Sequence, residues 1–107
     1  MSRDERDDNI FKALASPIRR RICDVLKDDP HTTGALCARF EDFDRCTVMQ
    51  HLKVLEKADL IIVHRRGRER WNHLNPLPIK AIHDRFIGPH AADAVARLGR
   101  LKEELER

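Results

Sequence analysis

The stretch RCTVMQHLKVLEKADLIIVHRRGRERWNHL, residues 45–74, decides the fold of this chain. Its first half places Val48, Leu52 and Leu55 at helical spacing, which predicts an amphipathic helix with one buried apolar side. Asp44 directly precedes this segment and is a candidate N-cap, because an Asp side chain accepts hydrogen bonds from free backbone amides there. The other side of the helix is polar and should face solvent or a partner.

The second half of this stretch predicts a short β-hairpin. The apolar run at 60–63 reads as a strand, the glycine-containing segment 66–68 as the turn, and 70–74 as the returning strand. We expect Trp71, and as a weaker candidate His73, to pack on one face of the hairpin. An amphipathic helix is therefore followed at once by an arginine-loaded hairpin.

Three more helices are predicted ahead of this stretch. The first covers about residues 5–14. Ser16, followed by a proline, can cap the second helix, which should end near Asp28. Thr32 or Thr33 can cap a short third helix. The third and fourth helices, joined by a tight turn, then form a helix-turn-helix that exposes the polar side of the second one.

The hairpin is followed by a predicted fifth helix that Gly88-Pro89 interrupts. The final segment spaces its apolar residues at alternating three- and four-residue steps, the seam of a helix–helix pair. A chain of 107 residues can build only a modest core, so burial of more surface in an oligomer is expected. The predicted fold is a single winged helix-turn-helix domain over residues 1–107, mainly α with a small β-hairpin wing, and dimeric.

Charge is concentrated at the hairpin. The chain has a net charge of +3, and residues 64–73 alone contain four arginines and one glutamate, a surplus equal to that of the whole chain. The same charge pattern would also occur in an edge hairpin whose charges only prevent aggregation. A basic hairpin beside an exposed helix favours double-stranded DNA as the partner, because the helix fits a major groove and arginines neutralise phosphates.

Base reading is assigned first to Gln50, since a Gln side chain can pair with adenine through two hydrogen bonds. Arg66 and Arg68 at the hairpin tip are expected to contact phosphates or enter the minor groove. The second helix carries three consecutive arginines, 19–21, which either reach phosphates or form a solvated face. The candidate DNA-contacting residues are Arg45, Thr47, Gln50, His51, Lys53, Arg65, Arg66, Arg68 and Arg70.

Three segments together resemble the ArsR family of winged-helix repressors: FKALASPIRRRI at 11–22, TVMQHLKVLEKADL at 47–60 and RRGR at 65–68. The resemblance implies a homodimer joined by its first and last helices, which presents two recognition helices to an imperfectly palindromic operator and represses by occluding promoters. Asp59 stands where the family usually has Gly, and Met49 where many relatives have Ser. The implied dimer-interface residues are Ile10, Phe11, Leu14, Ala91, Ala94, Leu98, Leu101 and Leu105.

No metal site and no cofactor are expected. The arsenic-sensing members of the family bind through a Cys-x-Cys pair, but Thr32 and Gly34 occupy the corresponding positions, and neither can supply a thiolate. The residues nearest to the zinc-sensing pattern, His83, Asp84 and His90, have the wrong spacing.

A repressor that responds to thiol oxidation is the remaining alternative to a metal-responsive repressor. Cys46 at the start of the fourth helix is the candidate, and an unreactive cysteine is the preferred interpretation. The other two cysteines are Cys23 and Cys37, and an odd number without close pairing argues against a disulfide framework. The effector, if there is one, stays unnamed.

The sequence also disfavours other classes of protein. The longest unbroken apolar run in the strand region, 60–63, is far too short to span a membrane, and the N-terminus lacks a signal-peptide core. No nucleophile–base pair, phosphate-binding loop or paired carboxylates indicate an enzyme. We expect a cytoplasmic protein, associated with the nucleoid when bound to DNA. The main rival is a winged helix that binds another protein instead of DNA.

Overall fold

The computed structural model describes residues 1–88 and 90–107. In this part of the chain six helices surround a small antiparallel sheet, which confirms the predicted winged helix-turn-helix fold. The elements are α1 (Arg3–Leu14), α2 (Pro17–Asp28), β1 (His31–Thr32), α3 (Thr33–Arg39), α4 (Arg45–Lys57), β2 (Ile61–Arg66), β3 (Glu69–Leu74), α5 (Leu77–Phe86) and α6 (Ala92–Leu105).

Polar caps set the starts of the first four helices. The side chains of Ser16, Thr32 and Asp44 each accept a hydrogen bond from a backbone amide three residues on, as predicted. Ser2 does the same for the amide of Glu5, at 3.1 Å. Because Ser2 is the cap, α1 begins at Arg3 rather than near residue 5.

Helix α4 ends at a residue in the left-handed backbone conformation. Asp59 has φ +62°, and the amides of Asp59 and Leu60 return to the carbonyls of Glu56 and Leu55, both at 2.9 Å. This pair of bonds is a Schellman motif, which normally carries glycine at the left-handed position. The chain therefore turns into β2 at the expected place with an aspartate in the strained position.

The sheet has the strand order β1-β3-β2. The hairpin turn is tighter than predicted: Arg66 pairs with Glu69, which leaves only Gly67 and Arg68 as the loop, and Gly67 has φ +64°. The third strand, β1, was not predicted, because it is only two residues long. It pairs His31 with Asn72 in the middle of β3.

The core lies between α1, α2, α3, α4 and the base of the hairpin. Val48, Leu52 and Leu55 of α4 are buried in it, as predicted. One expectation was wrong in detail: Ile10 is only 4% exposed and belongs to this core, so its side chain does not offer a surface to a partner. Trp71 and His73 lie half-buried on one face of β3, as expected. The fully buried position of β3 is Asn72 on the opposite face, because side chains alternate along a strand.

The last helix projects from the rest of the chain. No residue of α6 is buried, and Leu98, Leu101 and Leu105 are 63%, 47% and 75% exposed. The radius of gyration is 17.1 Å, against about 13 Å for a compact domain of this length. Pro89, in the predicted interruption, lies outside the described residues. None of the described helices combines the length and the hydrophobicity that a membrane-spanning segment requires.

Candidate nucleic-acid interface

The polar side of α4 is accessible along its length. Arg45, Gln50 and Lys53 are exposed, while Thr47 and His51 are half-buried. The helix is anchored from behind by its buried stripe, which fixes its backbone position while its polar side stays accessible. This is the arrangement of a recognition helix that can enter a major groove.

A cationic cleft of about 520 Å³ separates α4 from the wing, the hairpin β2–β3. Its lining includes Arg45 from α4 and Arg65, Arg68 and Arg70 from the wing, and it also contains Glu69. Arg65 and Arg70 are cross-strand partners on the face of the hairpin that looks towards the helices. The cleft therefore gathers four of the nine candidate DNA-contacting side chains.

Arg66 lies on the other face of the wing and is exposed near the tip. Arg70, in contrast, is already engaged: its Nη2 donates to Oε1 and Oε2 of Glu56 on α4, at 3.2 and 2.9 Å. This ion pair joins the returning strand to the recognition helix. It also means that Arg70 is partly neutralised within the chain.

Asn72 holds the wing against the helix-turn-helix from inside. Its Nδ2 donates to the carbonyl of His31 and to Oγ1 of Thr33, at 3.2 and 3.1 Å. The side chain is completely buried, and its Oδ1 has no hydrogen-bond partner among the described residues. Nothing in the local sequence singles out this asparagine, because both partners lie about forty residues earlier in the chain.

The outer face of the wing carries an unpredicted histidine pair. His73 Nε2 lies 2.9 Å from His64 Nδ1, and the two rings are stacked with their centroids 4.7 Å apart. The sequence did not predict this pair: His73 was expected only to pack on one face of the hairpin, and His64 was given no role.

The three arginines of α2 all make contacts within the chain, although Arg20 and Arg21 remain exposed. Arg19 donates to the carbonyls of Ala13 and Lys12 at the end of α1, at 2.6 and 3.1 Å. Arg20 donates to the carbonyl of Leu14 at 2.7 Å. The guanidinium of Arg21 lies over the ring of Phe40, 5.5 Å from its centroid.

Arg19 also reaches the recognition helix. Its Nη1 lies 3.1 Å from Nδ1 of His51. Burial, and secondly the charge of Arg19, lower the pKa of His51. The ring is therefore held in its neutral form at the edge of the DNA-facing side.

The cysteines differ in accessibility. Cys23 is buried, and this burial raises the pKa of its thiol to about 11. Cys37 is half-buried and Cys46 is exposed in the first turn of α4. All three are free thiols.

The candidate metal ligands of the fifth helix lie apart from any larger cluster. His83 Nδ1 is 3.3 Å from Oδ1 of Asp84, which in turn pairs with Lys80. Within residues 1–88 and 90–107, no three histidine, cysteine or carboxylate side chains come together as a metal site.

Comparison with known proteins agrees with this geometry. A helix-turn-helix domain family matches residues 14–64. The transcriptional repressor SdpR of Bacillus subtilis is 36% identical over 67 residues, which cover 63% of this chain and 73% of SdpR. The HTH-type transcriptional regulator Rv2034 of Mycobacterium tuberculosis is 37% identical over 89 residues, 80% of this chain and 82% of the relative.

Solved structures give the same result. The ArsR family transcriptional regulator RHA00566 superposes with a TM-score of 0.70 at 28% identity, covering 98% of this chain and 95% of the other. A possible transcriptional regulator for arsenical resistance has a TM-score of 0.63 at 31% identity, over 81% and 93% of the two chains. These relatives are regulators, not enzymes. The chain belongs to the ArsR family of winged helix-turn-helix proteins and is a DNA-binding transcriptional regulator.

Proposed function

We propose that this regulator is a homodimeric repressor that binds a palindromic operator. The observation that carries the proposal is that one chain has two exposed surfaces suited to binding. One is the polar side of α4 beside the cationic wing, and the other is the apolar side of α6. The first surface fits DNA, and the second fits another copy of the same helix.

The proposed dimer forms through α1 and α6. Besides the leucines of α6, Phe11 on α1 is 49% exposed, and Leu14 is half-buried at the edge of the core. Ala91 and Ala94 at the start of α6 are small and half-buried, which allows close approach of a second helix. Ile10 drops out of this set because the core already encloses it. Burying the leucines removes their apolar surface from water, and that removal is the driving force for association.

On DNA, α4 is proposed to enter the major groove, with Gln50 as the main base-reading side chain. Thr47 and Lys53 lie within one turn of Gln50 and contact base edges or phosphates, while Arg45 and His51 lie at the edges. The wing follows the neighbouring backbone. Its arginines supply affinity rather than sequence preference, because phosphate contacts are the same for every sequence.

Within the wing, Arg65, Arg66 and Arg68 are the proposed phosphate contacts. Arg70 has a smaller share, since Glu56 already binds its guanidinium. The two-fold symmetry of the dimer then sets the half-sites about 34–36 Å apart, which is one turn of the duplex.

A gel-shift titration tests the proposal. The full chain is mixed with DNA from its own promoter region and, separately, with random DNA of equal length at several salt concentrations. We expect tighter binding to the promoter fragment and a steep loss of affinity with salt. Equal binding to both DNAs would instead favour a winged helix that contacts another protein.

A further inference from the structure

The C-terminal end of α1 and the recognition helix α4 both contact the guanidinium of Arg19, which belongs to α2. Nε and Nη2 of Arg19 donate to the carbonyls of Ala13 and Lys12, while Nη1 faces Nδ1 of His51. The carbonyls at the end of a helix lack intrahelical donors, and they carry the negative end of the helix dipole. Arg19 is therefore held by α1 on one edge, and it presents the other edge to α4.

This contact determines which nitrogen of His51 carries the proton. A guanidinium has only donors, and it stays charged at every accessible pH. Nδ1 of His51 must then accept, which leaves the neutral ring with its single proton on Nε2. The ring presents to its surroundings a donor, Nε2–H, and no acceptor.

We propose that Arg19 is a positioning residue for DNA recognition: it fixes His51 as an Nε2–H donor towards the DNA and ties the recognition helix to α1. The proposal rests on the DNA-binding function given above. Arg19 itself does not contact DNA. Since α1 also belongs to the proposed dimer surface, the same guanidinium joins the dimer contact to the reading helix.

The surrounding charges agree with a neutral ring. Burial of the ring, and secondly the positive charge of Arg19, lower the pKa of His51, and no carboxylate among the described residues contributes to this shift. Protonation of His51 would remove the acceptor that Nη1 has among the described residues and place two cations in contact, so a fall in pH opposes the contact.

Arg20 offers a matched control. It is the next residue in α2, and it also donates to a carbonyl at the end of α1, that of Leu14, but it does not contact His51. Arg19→Gln and Arg20→Gln remove the same charge from the same helix. A purely electrostatic role would give the two variants similar behaviour.

The first readout is nitrogen NMR of the His51 ring in the protein without DNA. The wild type and Arg20→Gln should show an unprotonated Nδ1. Arg19→Gln should show a mixture of tautomers and a raised pKa, because a positive neighbour has been removed. A protonated Nδ1 in the wild type, or an unchanged ring in Arg19→Gln, overturns the proposal whether or not DNA binds.

The second readout is operator affinity. Arg19→Gln should bind about tenfold more weakly and Arg20→Gln about twofold or less, a difference of roughly one hydrogen bond to a charged group. Arg19→Lys keeps the charge but cannot serve three acceptors in one plane, so it should not restore affinity. In a His51→Gln background, whose amide donates without help, the effect of Arg19→Gln should largely disappear.

The two proposals fail separately. Wild-type protein that binds all DNA equally contradicts the repressor function, while the ring NMR still decides the role of Arg19. Specific binding by the wild type, with equal losses in Arg19→Gln and Arg20→Gln, contradicts only the positioning role.

Discussion

Arg70 of the wing binds Glu56 of the recognition helix through both carboxylate oxygens, at 3.2 and 2.9 Å. The two residues are 14 positions apart, and each side chain is about 40% exposed. Exposed pairs of this kind add about 0–1 kcal/mol to stability. The larger consequence is electrostatic, because an acid lies at the edge of a surface that we propose for phosphate contact.

Replacing Glu56 by Gln should therefore tighten DNA binding. The change removes a negative charge near the proposed phosphate path and frees Arg70 to contact DNA. We expect a steeper dependence of affinity on salt, measured by titration at several salt concentrations, with a melting temperature within a few degrees of the wild type. Glu103→Gln makes the same charge change on α6 and should have little effect. Weaker binding of Glu56→Gln would mean that the ion pair positions the wing.

Replacing Arg68 by Ala should weaken binding to all DNA sequences by a similar factor. Arg68 lies at the hairpin tip and is exposed, so the change should leave folding intact. The loss of one phosphate contact per wing lowers the salt slope by about 1 for each wing. Arg3→Ala on α1 controls for net charge. An unchanged salt slope would refute the assignment of the wing to the DNA backbone.

Replacing Asp59 by Gly should stabilise the fold. Asp59 has φ +62°, where a side chain costs about 1 kcal/mol that glycine does not. Thermal unfolding should shift upwards by about 4 °C or more, with DNA affinity unchanged. Asp59→Asn tests the charge alone and should change stability little, since Asn tolerates the same conformation. A Gly variant no more stable than the wild type would show that the aspartate has a compensating contact.

Replacing Leu98 by Asp should separate the proposed dimer. Leu98 is 63% exposed in the single chain, so an aspartate there does not disturb the core. We expect a monomer in sedimentation, helical content close to that of the wild type, and loss of operator binding. Arg100→Asp, on a different side of α6, should stay dimeric. A dimeric Leu98→Asp protein would contradict this interface.

Local patterns in the sequence predicted much of the fold. The caps at Ser16, Thr32 and Asp44 and the buried stripe of α4 depend on residues three or four positions apart, so the sequence shows them directly. The two strands of the wing, and the concentration of arginines on it, were also predicted.

The contacts that orient the site could not be predicted in this way. Asn72 and the Arg19–His51 contact join residues more than thirty positions apart, and no local spacing encodes such a pairing. Ile10 was assigned to the dimer because an apolar side chain at a helix edge looks the same whether its own core or a partner covers it. The DNA and dimer residues themselves stay predictions.

Unbiased selection of bound DNA tests the central claim most directly. Wild-type protein is incubated with a random duplex library, and the enriched sequences are compared with those of Gln50→Ala. For the wild type we predict two inverted half-sites whose centres lie about one helical turn apart. One position in each half-site should prefer adenine, and Gln50→Ala should lose the preference at that position. Absence of any enriched motif, or the same motif from both proteins, would contradict the claim that α4 of a dimer reads an operator through Gln50.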